Sequence, residues 1–237
     1  MSDKLLPALV LLAGGLSTRL RPITATMPKC MVSVAGAPFI NHQLRLLVSQ
    51  GIRKVIICIG YLGEQIEEYV GDGARFGCEV SYSRDGSVLR GTGGAIRNAL
   101  PLLGDHFFVM YGDSYLPIDF WPVCETFLAA GTLGLMTVFR NENKWDNSNI
   151  VFRDGRILIY DKVNRTPEMQ YIDYGLGILK SSAFEQWKDV ETFDLSVVYG
   201  QLIRANCLGG FETEQRFYEI GTPEGLHETD SLLRSTT

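Results

Sequence analysis

The chain has 237 residues, 46% of them hydrophobic, enough for the core of one large α/β domain or two small ones. Its 22 basic and 27 acidic residues leave a net charge of −5, so no general positive field draws in nucleic acid and any polyanion must be gripped by local groups. Five cysteines (Cys30, Cys58, Cys78, Cys124 and Cys207), odd in number and without Cys-x-x-Cys spacing, indicate neither a disulfide framework nor a structural zinc site.

Met1-Ser2-Asp3-Lys4 runs towards the first strand without a signal-peptide core, and no apolar stretch reaches the roughly 18 residues that a membrane span needs. The expectation is a cytoplasmic protein with no membrane partner. Ala8–Leu12 is an apolar run that reads as a buried strand. It stops at Gly14-Gly15, where missing side chains let backbone N–H groups approach a bulky anion. Leu16 through Pro22 and then Pro28-Lys29 follow: Ser17 and Thr18 bring hydroxyl donors, Arg19 a guanidinium fork and Lys29 a point charge. These groups suit a triphosphate. The loop is not a Walker A motif, because no Gly-Lys-Ser/Thr closes it, nor the Gly-x-Gly-x-x-Gly dinucleotide fingerprint.

Ile40, Leu44, Leu47 and Val48 recur at helical spacing up to Gly51, and Lys54–Ile59 is the next strand. Residues 63–70 read as a short helix, 78–83 as a strand, 93–100 as a helix and 107–111 as a further buried strand. Strands alternating with helices imply a parallel sheet covered on both faces, with ligands beyond the carboxyl ends of its strands, where the loops after the first and fourth strands meet in one crevice. Beyond Asp113 the texture changes. Asp119 caps a helix to Ala130, Leu133–Phe139 is a strand, and 150–152 and 157–159 form a hairpin joined at Asp154-Gly155. Helices near 182–188 and 194–206 flank a strand at 175–179; Thr222-Pro223-Glu224 opens the last helix, and the tail 235–237 is expected to fray. With no linker or repeat, the simplest division is one domain, 1–237, with a nucleotide-binding half to about residue 115 and a more irregular half from about 116.

Tyr111-Gly112-Asp113-Ser114 ends an apolar strand with a carboxylate, which suits either Mg²⁺ bridging to phosphates or an ordinary Gly-Asp turn. Arg90-Gly91-Thr92-Gly93-Gly94-Ala95-Ile96 is a second glycine-rich loop leading into a helix. Cys30 beside Lys29 is either a thiol with a lowered pKa or a packed loop residue. His42, His106 and His227 fall in no triad or metal spacing, and no Gly-x-Ser-x-Gly elbow occurs.

Leu12-Ala13-Gly14-Gly15-Leu16-Ser17-Thr18-Arg19-Leu20-Arg21-Pro22, followed by Pro28-Lys29-Cys30, resembles the signature of the sugar-1-phosphate nucleotidylyltransferases. Ser17 stands at that pattern's third glycine and Cys30 at its final proline. The resemblance extends along nearly the whole chain, to Gly112-Asp113, the second glycine loop, Asp161-Lys162-Val163 in place of Glu-Lys-Pro, and the Gly221-Thr222-Pro223-Glu224 ending. It implies a Rossmann-like, mixed and mainly parallel sheet flanked by helices, the nucleotide-diphospho-sugar transferase fold, with a sugar-binding second half.

The resemblance further implies an enzyme that joins a nucleoside triphosphate to a sugar 1-phosphate and releases pyrophosphate, with Mg²⁺ as cofactor. Arg19 and Lys29 would be its catalytic residues; Leu12, Ala13, Gly14, Gly15, Ser17, Thr18, Arg19, Gly91, Thr92, Gly93 and Gly94 would bind the nucleotide. Lys162, Asp173 and Gly175 would bind the sugar phosphate, and Asp113 and Glu219 the metal, with glutamate standing where the family usually has aspartate. Short chains of this kind look most similar to the heptose 1-phosphate guanylyltransferases and the N-acetylmuramate 1-phosphate uridylyltransferases, and the run 91–96 leans towards the heptose type. A non-catalytic nucleotide-sugar-binding subunit is the alternative from another class; a glycosyltransferase would be expected to carry Asp-x-Asp, which the chain lacks. Homo-oligomerisation stays open.

Overall fold

The structure is a computed structural model that describes residues 5–16, 18–86 and 88–235. In chain order its elements are β1 (Leu9–Leu12), β2 (Ser33–Val34), β3 (Ala37–Pro38), α1 (Phe39–Ser49), β4 (Lys54–Ile59), α2 (Gly63–Val70), β5 (Glu79–Arg84), α3 (Gly91–Ala99), β6 (His106–Tyr111), β7 (Ser114–Tyr115), α4 (Phe120–Ala130) and β8 (Gly134–Arg140). The hairpin β9 (Ile150–Arg153) and β10 (Arg156–Tyr160) follows, then β11 (Tyr171–Lys180), α5 (Leu195–Arg204), β12 (Leu208–Thr213), β13 (Tyr218–Glu219) and α6 (Pro223–Ser235).

Among the described residues nine strands form one sheet, in the order β5-β4-β1-β6-β11-β8-β12-β10-β9. β5, β4, β1 and β6 are mutually parallel, β11 runs antiparallel to both β6 and β8, and β12 returns parallel to β8. The sheet is therefore mixed, parallel from β5 to β6 and largely antiparallel beyond.

Alternation along β1 explains the two layers. Leu9 and Leu11 point into a core shared with Ile40, Leu44 and Leu47 of α1 and Ile66 of α2, whereas Val10 points into a second core with Ala95 and Ile96 of α3 and Val198 and Leu202 of α5. Both faces are buried, which is why these strands read as continuous apolar runs. Asp119 caps α4 as expected, its carboxylate accepting from the Trp121 N–H at 2.9 Å. The segment expected as a helix at 182–188 is a 3₁₀ stretch, Ser181–Trp187, and the strand expected at 175–179 begins four residues earlier, at Tyr171. Of the expected frayed tail, Ser235 is still helical and 236–237 lie outside the described residues.

Three strand features were not evident in the sequence: the hairpin β2–β3, the strand β12 and the two-residue ribbon β7–β13. The ribbon matters most for the site. It pairs Glu219 with Ser114 and donates the Ile220 N–H to the Asp113 carbonyl at 2.9 Å, so residues 105 and 107 positions apart in sequence meet just beyond β6.

Candidate functional site

The carboxyl ends of β1 and β6 meet as expected. Ala13 N–H donates to the Cys58 carbonyl and Gly112 N–H to the Leu12 carbonyl, both at 2.9 Å, so the chain leaves the sheet in tight register. A Cβ on Gly112 would fall 2.7 Å from that Leu12 oxygen, and one on Gly14 would fall 3.1 Å from the Gly60 nitrogen. Only glycine lets the backbones pass this closely.

A cavity opens there, lined by Leu12, Ala13, Gly14, Gly15, Lys29, Gly91, Thr92 and Asp113 among the sequence-predicted residues, and by Cys58, Asp85, Leu89 and Ala95 besides. Lys29 Nζ lies 2.7 Å from Asp113 Oδ2, both side chains largely shielded from solvent. Cys30, packed behind them, is the inert alternative of the two: burial pushes its thiol up to about 12, outweighing the Lys29 charge.

Gly93 and Gly94 do not reach this cavity. They are buried against the segment before α5, where both N–H groups donate to the Phe193 carbonyl at 3.0 and 3.1 Å and a Cβ on Gly93 would strike the Phe193 ring. They pack α3 against the segment before α5, and of this loop only Gly91 and Thr92 line the cavity. Thr92 is held by the same joint, donating to Asp194 at 3.0 Å and accepting from Leu195 N–H at 2.8 Å. Ser17 lies outside the described residues; Thr18 opens a 3₁₀ turn, Thr18–Leu20.

Arg19 faces a second cavity, with Lys162, Asp173, Gly175 and Glu219 from the predicted set and Asp146, Asn147, Asn149 and Arg165 in addition. Lys162 Nζ sits 5.6 and 5.5 Å from the Tyr111 and Tyr160 ring centres, within cation–π range. Asp173 is braced on both oxygens: it accepts from the Tyr160 hydroxyl at 3.1 Å and from Gly175 N–H at 3.0 Å. Burial, then the Asp173 charge, holds the Tyr160 phenol far above its ordinary pKa, so it stays a donor. Asp173-Tyr174-Gly175 belongs to an irregularity within β11, where the β8 register slips between Asp173 and Gly177 and Gly175 takes a φ of +93°.

Burial raises the Glu219 carboxyl pKa, and the neighbouring Asp113 and Asp146 charges raise it further against the pull of Arg19 and Lys29. Two adjacent carboxylates under mutual repulsion are a hard-cation donor set, and they fit Mg²⁺, which takes one or two carboxylates and completes its shell with phosphates and water. No third His, Cys, Asp or Glu joins them among the described residues.

Asp85, Asp146, Asn147, Asn149 and Arg165 escaped the reading of the sequence. For Asp85 a signal existed: it directly follows a parallel strand, at the carboxyl end where α/β sheets bind ligands. Residues 146, 147 and 149 sit in a polar loop with no motif around them, and Arg165 falls just beyond Asp161-Lys162-Val163, outside the three positions of that motif.

A family model described as Nucleotidyl transferase matches residues 8–193. Over 228 residues the chain is 30% identical to an N-acetylmuramate alpha-1-phosphate uridylyltransferase of Neisseria meningitidis, covering 94% of this chain and 96% of that one. It is 29% identical over 223 residues to a D-glycero-alpha-D-manno-heptose 1-phosphate guanylyltransferase of Campylobacter jejuni, covering 92% and 96%. Among solved structures, a Bacillus anthracis protein provisionally assigned as a glucose-1-phosphate thymidylyltransferase superposes with a TM-score of 0.86 at 20% identity, over 96% of this chain and 95% of that one, which is a likeness of fold.

Proposed function

The chain belongs to the nucleotidyl transferase family, and from that premise we propose that it is a sugar-1-phosphate nucleotidylyltransferase with GTP and a heptose 1-phosphate as its pair of substrates. The observation that carries the reading is the wall between the cavities. Tyr111 and Asp113 border both, so a glycine-lined nucleotide site and a sugar-phosphate site that sets Arg19, Lys162 and Arg165 among carboxylates share one carboxylate.

In the proposed reaction an oxygen of the sugar phosphate attacks the α-phosphorus of the nucleotide in line, the α–β bridging bond breaks, and pyrophosphate leaves. Gly14, Gly15, Gly91 and Thr92 hold the nucleotide, Lys162 and Arg19 draw the sugar phosphate to the shared wall, and Lys29 supplies positive charge beside Asp113. Positioning and fixed charge do the work, with no covalent step. Asp113 and Glu219 would hold Mg²⁺, which when bound neutralises charge on the phosphoryl oxygens. The half to about residue 115 carries the nucleotide site and the remainder most of the sugar site. Phosphorylated substrates and unpaired thiols suit a cytoplasmic location.

One observation favours a second reading. Arg165 lines the sugar cavity with no ion-pair partner among the described residues, and N-acetylmuramate, unlike a heptose, carries a carboxylate that a guanidinium fork would bind. Pyrophosphate release with Mg²⁺ across GTP, UTP, TTP and CTP, each with heptose, mannose, glucose and N-acetylmuramate 1-phosphates, separates the two. Turnover is expected with GTP and the heptose; the UTP and N-acetylmuramate pair would establish the second reading. No release from any pair, with nucleotide binding intact, would identify a binding subunit instead.

A further inference from the structure

The nucleotide cavity contains a carboxylate for which the reaction itself has no use. Asp85 follows β5 and is 6% exposed, its backbone pinned by donation of its N–H to the Ile59 carbonyl at 3.0 Å. Its Oδ2 accepts from the Arg90 N–H at 3.2 Å and lies 3.4 Å from where a Cβ on Gly14 would stand. The Arg90 guanidinium is bonded elsewhere: Nε donates to the Asp85 carbonyl at 3.0 Å and Nη1 pairs with Glu191 at 3.0 Å. Among the described residues the Asp85 carboxylate has no ion pair, and burial raises its pKa against the partial offset of Arg90. A half-paired carboxylate facing a cavity lined by Leu12, Cys58, Leu89 and Ala95 calls for donors from a ligand.

Sheet order sets the distance. Asp85 ends β5 and Asp113 follows β6, with β4 and β1 between them. Three inter-strand steps span roughly 14 Å. A nucleotide with its phosphates at Lys29 and Asp113 therefore extends its base across the ends of β1 and β4 towards Asp85, with the apolar side chains against the ring.

Resting on the nucleotidylyltransferase reading, we propose that Asp85 is the base-selecting residue and that it selects guanine, its carboxylate accepting from the ring N1–H and the 2-amino group together. Guanine is the common base that presents two adjacent donors on that edge, matching a carboxylate side by side. Uracil presents one N–H between two carbonyl oxygens, so a carboxylate there gains one bond and meets the repulsion of the flanking acceptors.

The test is equilibrium binding of GTP, ITP and UTP to the full chain and to Asp85→Asn, with Mg²⁺. ITP is GTP without the 2-amino group. The unaltered protein should bind GTP about tenfold tighter than ITP, the scale of one hydrogen bond to a charged acceptor. UTP should bind more weakly than GTP. In Asp85→Asn the affinity for GTP should fall about tenfold or more while UTP holds or improves, since an amide offers both a donor and an acceptor. Equal affinity for GTP and ITP in the unaltered protein overturns the proposal without reliance on any variant. UTP bound tighter than GTP, with pyrophosphate released from UTP, overturns the guanine assignment and leaves the reaction standing. Binding of none of the three overturns the reaction and the base assignment together.

Discussion

Lys29 and Asp113 form an ion pair whose side chains are 16% and 23% exposed, shielded enough that the charges act on each other and on any phosphate beside them. Lys29 also helps offset Glu219, whose carboxyl is otherwise loaded with the negative charge of Asp113 and Asp146. Lys29→Ala thus removes a charge from the reacting phosphates and leaves three acidic groups less compensated. Turnover should drop by roughly two to three orders of magnitude, the scale seen when one preorganised electrostatic contact is deleted, while circular dichroism matches the parent protein. Near-parental turnover in a saturating assay would remove Lys29 from the chemistry. At this scale the glycine-rich loop and Asp113 were legible because each follows the end of an apolar strand, whereas Lys29, in a 3₁₀ turn seventeen residues beyond β1, was legible through the Pro28-Lys29 signature. The Glu219 neighbourhood was not legible from periodicity, because a two-residue ribbon creates it and two residues carry no period; the family pattern alone pointed to that position.

The joint between α3 and α5 shows how elements hold the site. Asp194 caps α5 by accepting from Ser196 N–H at 2.8 Å, and its other oxygen accepts from Thr92, which lines the proposed nucleotide cavity. Burial acts to raise the Asp194 pKa, but the bonds from Ser196 and Thr92 and the Lys162 charge outweigh it and hold the carboxyl below the ordinary aspartate range. A carboxyl depressed in the folded state adds stability above its unfolded value, near pH 4, and loses it as pH falls through the folded value. Asp194→Ala should therefore cost about 1–2 kcal/mol at pH 7, the scale of a lost N-cap, and the gap from the parent should narrow below about pH 4. Urea unfolding of both proteins at pH 7 and pH 3 measures this, and a gap independent of pH would deny the charge its part. Elements with one clean period were readable in the sequence: Lys54–Ile59 and Gly63–Val70 coincide with β4 and α2. β12 was hidden because Gly209 and Gly210 dilute its strand character. They are needed there, since a Cβ on Gly210 would fall 2.5 Å from the Phe152 ring.

Across the whole molecule, the proposed halves meet without an apolar seam. β11 is bonded along one edge to β6 of the first half and along the other to β8 of the second. One core layer runs from Leu9, Ile57 and Phe108 through Leu135, Ile172 and Leu176 to Phe217, and the other from Val10 and Ile56 through Met136 and Leu179 to Leu208. Separating the halves would strip both layers at once, so neither half keeps a closed core of its own. The 1–237 chain should thus unfold as one cooperative unit although the proposed functional division falls near residue 115. Trp121 packs on the first layer and Trp187 on the second, so their shared emission reports on both. Urea transitions followed by tryptophan emission and by far-ultraviolet circular dichroism should coincide with a single midpoint. Two separated midpoints would mean that the halves are independent domains, and the shared wall at Tyr111 and Asp113 would then be a hinge between bodies instead of a fixed partition.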